Sequence, residues 1–190
     1  CAELPIAATT PKHPCRTIVD VQTDAGPARH VPEPWAGNLV EGRVLFISSN
    51  PSLSEADDHQ SGDVVERYPL ASWPDDEKAE FFLRRFGTGP DAPATPDGRF
   101  RRLDGSLSPR RVRFWVEVRK RAQELLGESA SPEKDYCMTE VVHCKSKRER
   151  GVGRAVDLCA SLHLDRVIAL SPAPLVVVVG SKARNRTVPL

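Results

Sequence analysis

The run Val44-Leu45-Phe46-Ile47 places four apolar residues in a row, the pattern of a strand covered on both faces rather than one that alternates apolar with polar positions. It predicts a buried strand over 43–49 that leads into the turn Ser48-Ser49-Asn50-Pro51. Two further strands are predicted at 136–143 and 175–180, the second from Leu175-Val176-Val177-Val178-Val179 closed by Gly180. Helical spacing fills much of the rest. Residues 76–86 set Phe81, Phe82 and Phe86 on one side, and 111–126 repeats Phe114, Trp115, Val118, Ala122, Leu125 and Leu126 at that spacing before Gly127. Burial preference assigns Phe114 and Trp115 to the core. Another helix is predicted from about residue 154 to 170. Strands alternating with helices imply an α/β domain with parallel crossovers, in which sites lie outside the carboxyl ends of the strands.

Two segments stand apart from this alternation. Residues 1–38 carry six prolines and little periodicity, so an irregular arm is expected that something else must hold in place. Residues 87–110, rich in Gly, Pro, Asp and Arg, read as a long surface loop. A length of 190 residues fits one domain over 1–190, with a sizeable core.

Charge is polarised along the chain although the formal net charge is only +1. Nine acids fall in 54–80 against Arg67 and Lys78, and nine Lys and Arg fall in 99–121 against Asp104 and Glu117. A basic face of that kind either follows a phosphate backbone or is simply solvated. No apolar run reaches membrane-spanning length and no leader pattern is seen, so a cytoplasmic protein without a membrane partner is expected. Five cysteines make no regular disulfide framework, which favours metal or core roles in a reducing compartment.

The segment Thr139-Glu-Val-Val-His-Cys144, the basic loop after it, Cys159 on the next helix and the run Val176–Gly180 stand in an order that resembles the iron-sulfur members of the uracil-DNA glycosylase superfamily. There a T-N-x-V-K-C strand enters a basic loop, a helix supplies another cysteine, and a V-V-x-L-G strand follows. The turn at Asn50-Pro51 matches the family's water-activating G-x-N-P-G motif in its polar residue and proline, with Ser48 and Ser52 in place of the glycines. The resemblance implies a three-layer α/β/α fold with a central parallel sheet, and hydrolysis of the N-glycosidic bond of uracil or another altered base in DNA. Its H-P-S or H-P-N segment does not follow Gly180 in these residues.

By the same resemblance, Asn50 orients a water, flanked by Ser49 and Pro51 at the substrate. Glu140 occupies the place of the base-reading asparagine. An ionised carboxylate only accepts hydrogen bonds, so Glu140 either stays protonated and imitates the amide, favours a base with an exocyclic amino group, or pairs with a nearby cation. Tyr68 is the candidate for stacking on the base. Lys145, Lys147, Arg148 and Arg150, on the loop leaving the active edge, are expected to contact DNA phosphates. Cys1, Cys15, Cys144 and Cys159 are expected to hold an iron-sulfur cluster of the [4Fe-4S] type that ties the arm to the sheet, with zinc on the same thiolates as the alternative; Cys137 reads as core. The expected protein is a monomer, nucleoid-associated if bacterial. The alternatives are a non-catalytic DNA-binding or lesion-sensing protein of the same fold, and a hydrolase of free nucleosides, which the basic stretch 99–121 disfavours.

Overall fold

A computed structural model of the chain describes residues 3–24, 30–51 and 66–187, with Thr23, Asp24 and Lys147 described by their backbone alone. The architecture is mixed α/β, a four-stranded sheet with helices packed against it. The strands are β1 (Ala36–Gly37), β2 (Val44–Ser48), β3 (Tyr136–Glu140) and β4 (Leu175–Val178), in the spatial order β1-β3-β2-β4. Both neighbours of β2 run parallel to it, as expected, but β1 joins β3 antiparallel, so the sheet is mixed rather than wholly parallel. Gly37 explains why β1 is so short. Its φ is +95°, and a Cβ there would lie 2.5 Å from the Tyr136 carbonyl oxygen, so the backbones approach where only glycine fits.

Every residue of β2 and β3 is buried, and the pleat divides them between two cores. Leu45, Ile47 and Cys137 pack with Ala160, Leu164 and Val167, on the helical stretch formed by α5 (Val152–Cys159), a π turn (Ala160–Leu164) and α6 (Asp165–Leu170), and with Ala183 on α7 (Ser181–Thr187). Val44, Phe46, Tyr136 and Met138 pack on the other side with Val118 and Ala122 of α4 (Arg113–Leu126). Helices therefore cover both faces of the sheet. Cys137 is core, as its strand position implies. β4 departs from expectation, since Leu175, Val176 and Val178 remain 42, 45 and 36 % exposed on the sheet edge.

The arm is more ordered than its prolines suggest. It forms α1 (Glu3–Thr9) and α2 (Arg16–Asp24), with Pro5 in a first turn, where no backbone N–H is needed, and Pro11 and Pro14 between the helices. Ala7, Cys15, Ile18 and Val19 pack against Val142, Cys144, Val152, Ala155 and Cys159. Gly151, at φ +79°, lets α5 start beside α2, because a Cβ there would meet the Thr17 side chain at 2.7 Å.

The helix α3 (Asp75–Leu83) buries Phe81 and Phe82 against Tyr68, whereas Phe86 turns to Trp115 at 4.8 Å between centroids, so the three rings do not share one side. In α4 the apolar stripe is Val118 and Ala122, with Trp115 and Leu126 partly buried; Phe114 and Leu125 are 37 and 50 % exposed, so Phe114 is not the core residue its hydrophobicity suggested. Residues 87–110 form a laced loop rather than a featureless one, closed by the bridges Ala94–Phe100 and Arg101–Leu107 with Phe100 and Ser108 buried. Among the described residues no helix is long and apolar enough to cross a membrane.

Candidate active site

The parallel register of β2 and β3 sets Ser48 opposite Glu140. Beyond those positions the two chains stay joined without strand geometry: Val141 N–H donates to the Ser48 carbonyl at 2.9 Å, Val142 to Ser49 at 3.0 Å and Ser146 to Pro51 at 3.1 Å. β3 thus ends earlier than the sequence implied because its partner has already entered the Ser49-Asn50-Pro51 turn. The consequence is that this turn and Glu140 face one cavity of about 170 Å³, shared with Glu33, Arg85, Phe114 and Trp115. Asn50 Nδ2 donates to the Pro51 carbonyl at 2.9 Å, which leaves its Oδ1 as the acceptor on the amide.

Behind the cavity lies a buried set of charges gathered from distant segments. Arg85 is 0 % exposed, and its Nη1 stands 2.6 Å from Glu66 Oε1 while Nε stands 3.5 Å from Glu33 Oε1. Lys145 Nζ sits 2.5 Å from Glu66 Oε2. Burial alone would raise the Glu66 pKa, but Arg85 and Lys145 pull it down to about 2. Glu140, 2 % exposed, moves the other way: burial first and then the charge of Glu33 push its carboxyl well above the usual range. Protonation of Glu140 leaves two cations, Arg85 and Lys145, facing two carboxylates, Glu33 and Glu66, which is the neutral arrangement a dry site favours. Ser48 Oγ donates to Glu140 Oε1 at 3.4 Å, and Glu140 Oε2 has no partner among the described residues.

Tyr68 supports this charge cluster instead of lining the cavity, which corrects its expected stacking role. Its hydroxyl donates to Glu33 Oε2 at 3.1 Å, His30 stacks on its ring at 4.5 Å, and Lys145 Nζ lies 4.1 Å from its centroid. At 3 % exposure the ring has no face left for a base. The aromatics that do reach the cavity are Phe114 and Trp115. The neighbouring His30 is held neutral, because burial and then the charge of Lys145 lower its pKa to about 3.

Lys145 is also corrected: 1 % exposed and paired with Glu66, it is an internal counter-ion and cannot reach a phosphate. Arg148 and Arg150 are exposed on the loop as expected, and the Lys147 side chain lies outside the described residues. Glu149 ties this loop down, accepting from Ser49 Oγ at 2.6 Å and pairing with Lys182. Arg148 and Glu149 both adopt positive φ, 50° and 57°. Of the basic stretch, Arg99 and Arg111 pair with Asp97 and Arg121 pairs with Glu124, while Arg110, Arg111 and Arg113 lie exposed around the start of α4, beside Phe114. Part of the acidic stretch 54–80 lies outside the described residues.

Cys15, Cys144 and Cys159 share one buried cluster, which brings the arm, the loop after β3 and α5 together at three thiols. Cys1 lies outside the described residues, and among those described no three His, Cys, Asp or Glu side chains stand close enough to hold a metal. Burial pushes the Cys15 thiol up to about 11 and the Cys144 thiol up to about 12, with Cys159 raised as well. Neutral thiols suit an apolar core; a bound metal ion would reverse that preference and hold them as thiolates. The three thiols are metal-ligating in chemistry and share one buried cluster, but among the described residues they do not stand in a ligating arrangement.

Arg85 and Glu33 were missed from the sequence. The signal for Arg85 was present: it follows Phe81 by four residues and Phe82 by three, so it continues the buried face of α3, while Arg84 beside it is 43 % exposed. A larger groove of about 680 Å³, lined by Trp73, Phe81, Asp76, Glu80, Arg84 and Arg101 among others, contains none of the motif residues.

The Glu140 environment generates a stability prediction. Between the ordinary carboxyl range and its raised native value, the folded protein binds one more proton at Glu140 than the unfolded chain, so this residue's contribution to stability falls as pH rises, by about 1.4 kcal/mol per pH unit. Glu140→Gln removes that slope. Urea unfolding at pH 5, 6 and 7 should show the variant gaining on the wild type as pH increases; parallel pH curves would mean that Glu140 is ionised and ion-paired.

Comparison with known proteins adds no relative to this picture: no family model, no curated protein and no solved structure matches the chain.

Proposed function

We propose that this protein is a DNA repair glycosylase with the three-layer α/β/α architecture of the uracil-DNA glycosylase superfamily, hydrolysing the N-glycosidic bond of uracil or another altered base. The observation that carries the reading is the convergence of the Asn50 turn and Glu140 on one cavity, two motif positions ninety residues apart in sequence and adjacent through strand register. Helices on both faces of the sheet suit the architecture. Phe114 and Trp115 line the cavity, aromatic surfaces on which a base extruded from the duplex can stack.

In this reading Asn50 Oδ1 accepts a hydrogen bond from the attacking water and directs its lone pair at the sugar C1′; an amide orients water but does not deprotonate it. Protonated Glu140 presents both a donor and an acceptor to the edge of the base, the same pair of functions as an asparagine amide. Arg110, Arg111 and Arg113 contact phosphates beside the mouth, joined by Arg148 and Arg150 on the opposite loop. Cys1, Cys15, Cys144 and Cys159 would hold an iron-sulfur cluster, whose part is to fasten the arm and the loop after β3 to the sheet. No step of the hydrolysis passes through it.

The test of the reading is cleavage of oligonucleotides carrying single uracil, hypoxanthine, xanthine or modified-pyrimidine sites, followed by alkali. One substrate of the panel should yield strand breaks, and Asn50→Ala should slow that cleavage roughly 10²–10⁴-fold while DNA affinity is kept. Binding without cleavage of any substrate would support the lesion-sensing alternative instead. Replacing Arg110, Arg111 and Arg113 together with alanine should weaken binding to all DNA sequences alike and reduce the slope of log K against log salt by about 0.9 for each phosphate no longer neutralised; an unchanged slope would remove this rim from the interface. Protein purified without oxygen should contain iron and sulfide, and Cys144→Ser should lower both; zinc in their place would assign the alternative metal.

A further inference from the structure

The guanidinium of Arg85 carries donors that the described residues do not fully satisfy. It is wholly buried and lines the cavity that holds Asn50 and Glu140. Glu66 holds Nη1 at 2.6 Å, whereas Nε, 3.5 Å from Glu33 Oε1, and Nη2 have no hydrogen bond among the described residues. Four aromatic rings surround it, with Cζ 4.9 Å from the centroid of Tyr68, 5.2 Å from Phe81, 5.5 Å from Phe86 and 5.1 Å from Trp115. Charge pairing and cation–π contact explain why a cation is tolerated there, but the pair with Glu66 engages Nη1 and leaves the directional donors of Nε and Nη2. A buried donor without an acceptor is rare, and its missing partner is a water, an ion or a ligand.

The same cavity limits what that ligand is. An apolar cavity of about 150 Å³ admits benzene, so about 170 Å³ has room for one six-membered ring. Glu140 Oε2, also without a partner, faces this space. Two unsatisfied polar groups therefore border a space of single-ring size.

We propose that Arg85 is a catalytic residue: its guanidinium donates to a carbonyl oxygen of a monocyclic base held in this cavity and stabilises the anion that the base becomes as its bond to the sugar breaks. The proposal rests on the glycosylase reading. When C1′–N1 breaks, the electron pair leaves on the ring nitrogen and spreads to the adjacent carbonyl oxygen; the water oxygen bonds to C1′, and the proton it loses ends on the ring nitrogen once the base is released. The products are a C1′ hydroxyl and a neutral base, with no other reactant consumed. A fixed cation aimed at a developing oxyanion in a water-poor site lowers the barrier without reorganising solvent.

The test compares uracil with 5-fluorouracil in the same oligonucleotide, because the fluorinated base leaves as a more stable anion and needs less help. Single-turnover rates are measured for the wild type, Arg85→Lys and Arg85→Met. Arg85→Met should lose roughly 10²–10³-fold on uracil and clearly less on 5-fluorouracil, so that the rate ratio between the two rises about tenfold or more. Arg85→Lys, which keeps the charge and makes the comparison possible if the methionine variant does not fold, should show a smaller rise. Equal losses on both substrates would mark Arg85 as a structural ion-pair residue and overturn the proposal while leaving the glycosylase reading intact. Hypoxanthine cleaved by the wild type as fast as uracil would overturn the assignment to a monocyclic base. A wild type that cleaves none of these substrates would overturn the glycosylase reading and this proposal with it.

Discussion

Glu66 stands between two buried cations, Arg85 and Lys145, and this arrangement constrains most of what surrounds it. The three residues come from a segment after β2, the end of α3 and the loop after β3, so the ion pairs form only when those segments are in their final places. Removing one partner from such a pair strands a charge in a dry site, at a cost of about 3–5 kcal/mol. Tyr68 and His30 complete the packing around it, and Glu33 reaches it from the segment before β1, itself held by its N–H to the His143 carbonyl at 2.8 Å. The cluster is thus a junction of the fold as well as the back wall of the cavity.

Its charge balance also sets the chemistry available in front of it. Two cations and two carboxylates leave no positive charge to stabilise a third carboxylate, and Glu140 is the group that takes up the proton. A neutral carboxylic acid is both donor and acceptor, which an ionised one is not. The environment therefore gives the Glu140 side chain amide-like hydrogen bonding toward the cavity. The same burial leaves donors of Arg85 Nε and Nη2 without a partner among the described residues, beside a cavity where an incoming molecule can supply one.

The thiol cluster anchors a different part of the molecule. The arm has two short helices and a small buried face, Ala7, Cys15, Ile18 and Val19, and it packs on the loop and helix that follow β3. That loop holds Cys144 and Lys145 side by side and carries Glu149, which bonds Ser49 in the Asn50 turn. The arm, the thiols, the charge cluster and the Asn50 turn are therefore linked through a stretch of chain only a few residues long.

Local pattern determined a large part of this. The consecutive apolar residues of β2, the helical stripe of α4 with its terminating Gly127, and the near-continuous helix after Gly151 were legible because each depends on neighbours along the chain. So was the meeting of Asn50 with Glu140, since parallel strands in an α/β sheet end on the same edge. What sequence could not settle was which side chains face inward. Lys145 and Arg85 look like surface cations and are fully buried, because their partners Glu66 and Glu33 are distant in sequence and meet them only in the fold. Tyr68 and Phe114 exchange their expected roles for the same reason: a ring is core or cavity wall according to what tertiary packing brings against it, here His30 and Lys145 over Tyr68 and open space beside Phe114. Periodicity specifies a face of a helix or strand, but whether that face meets apolar atoms, a counter-ion or a cavity is decided by segments far away in the chain.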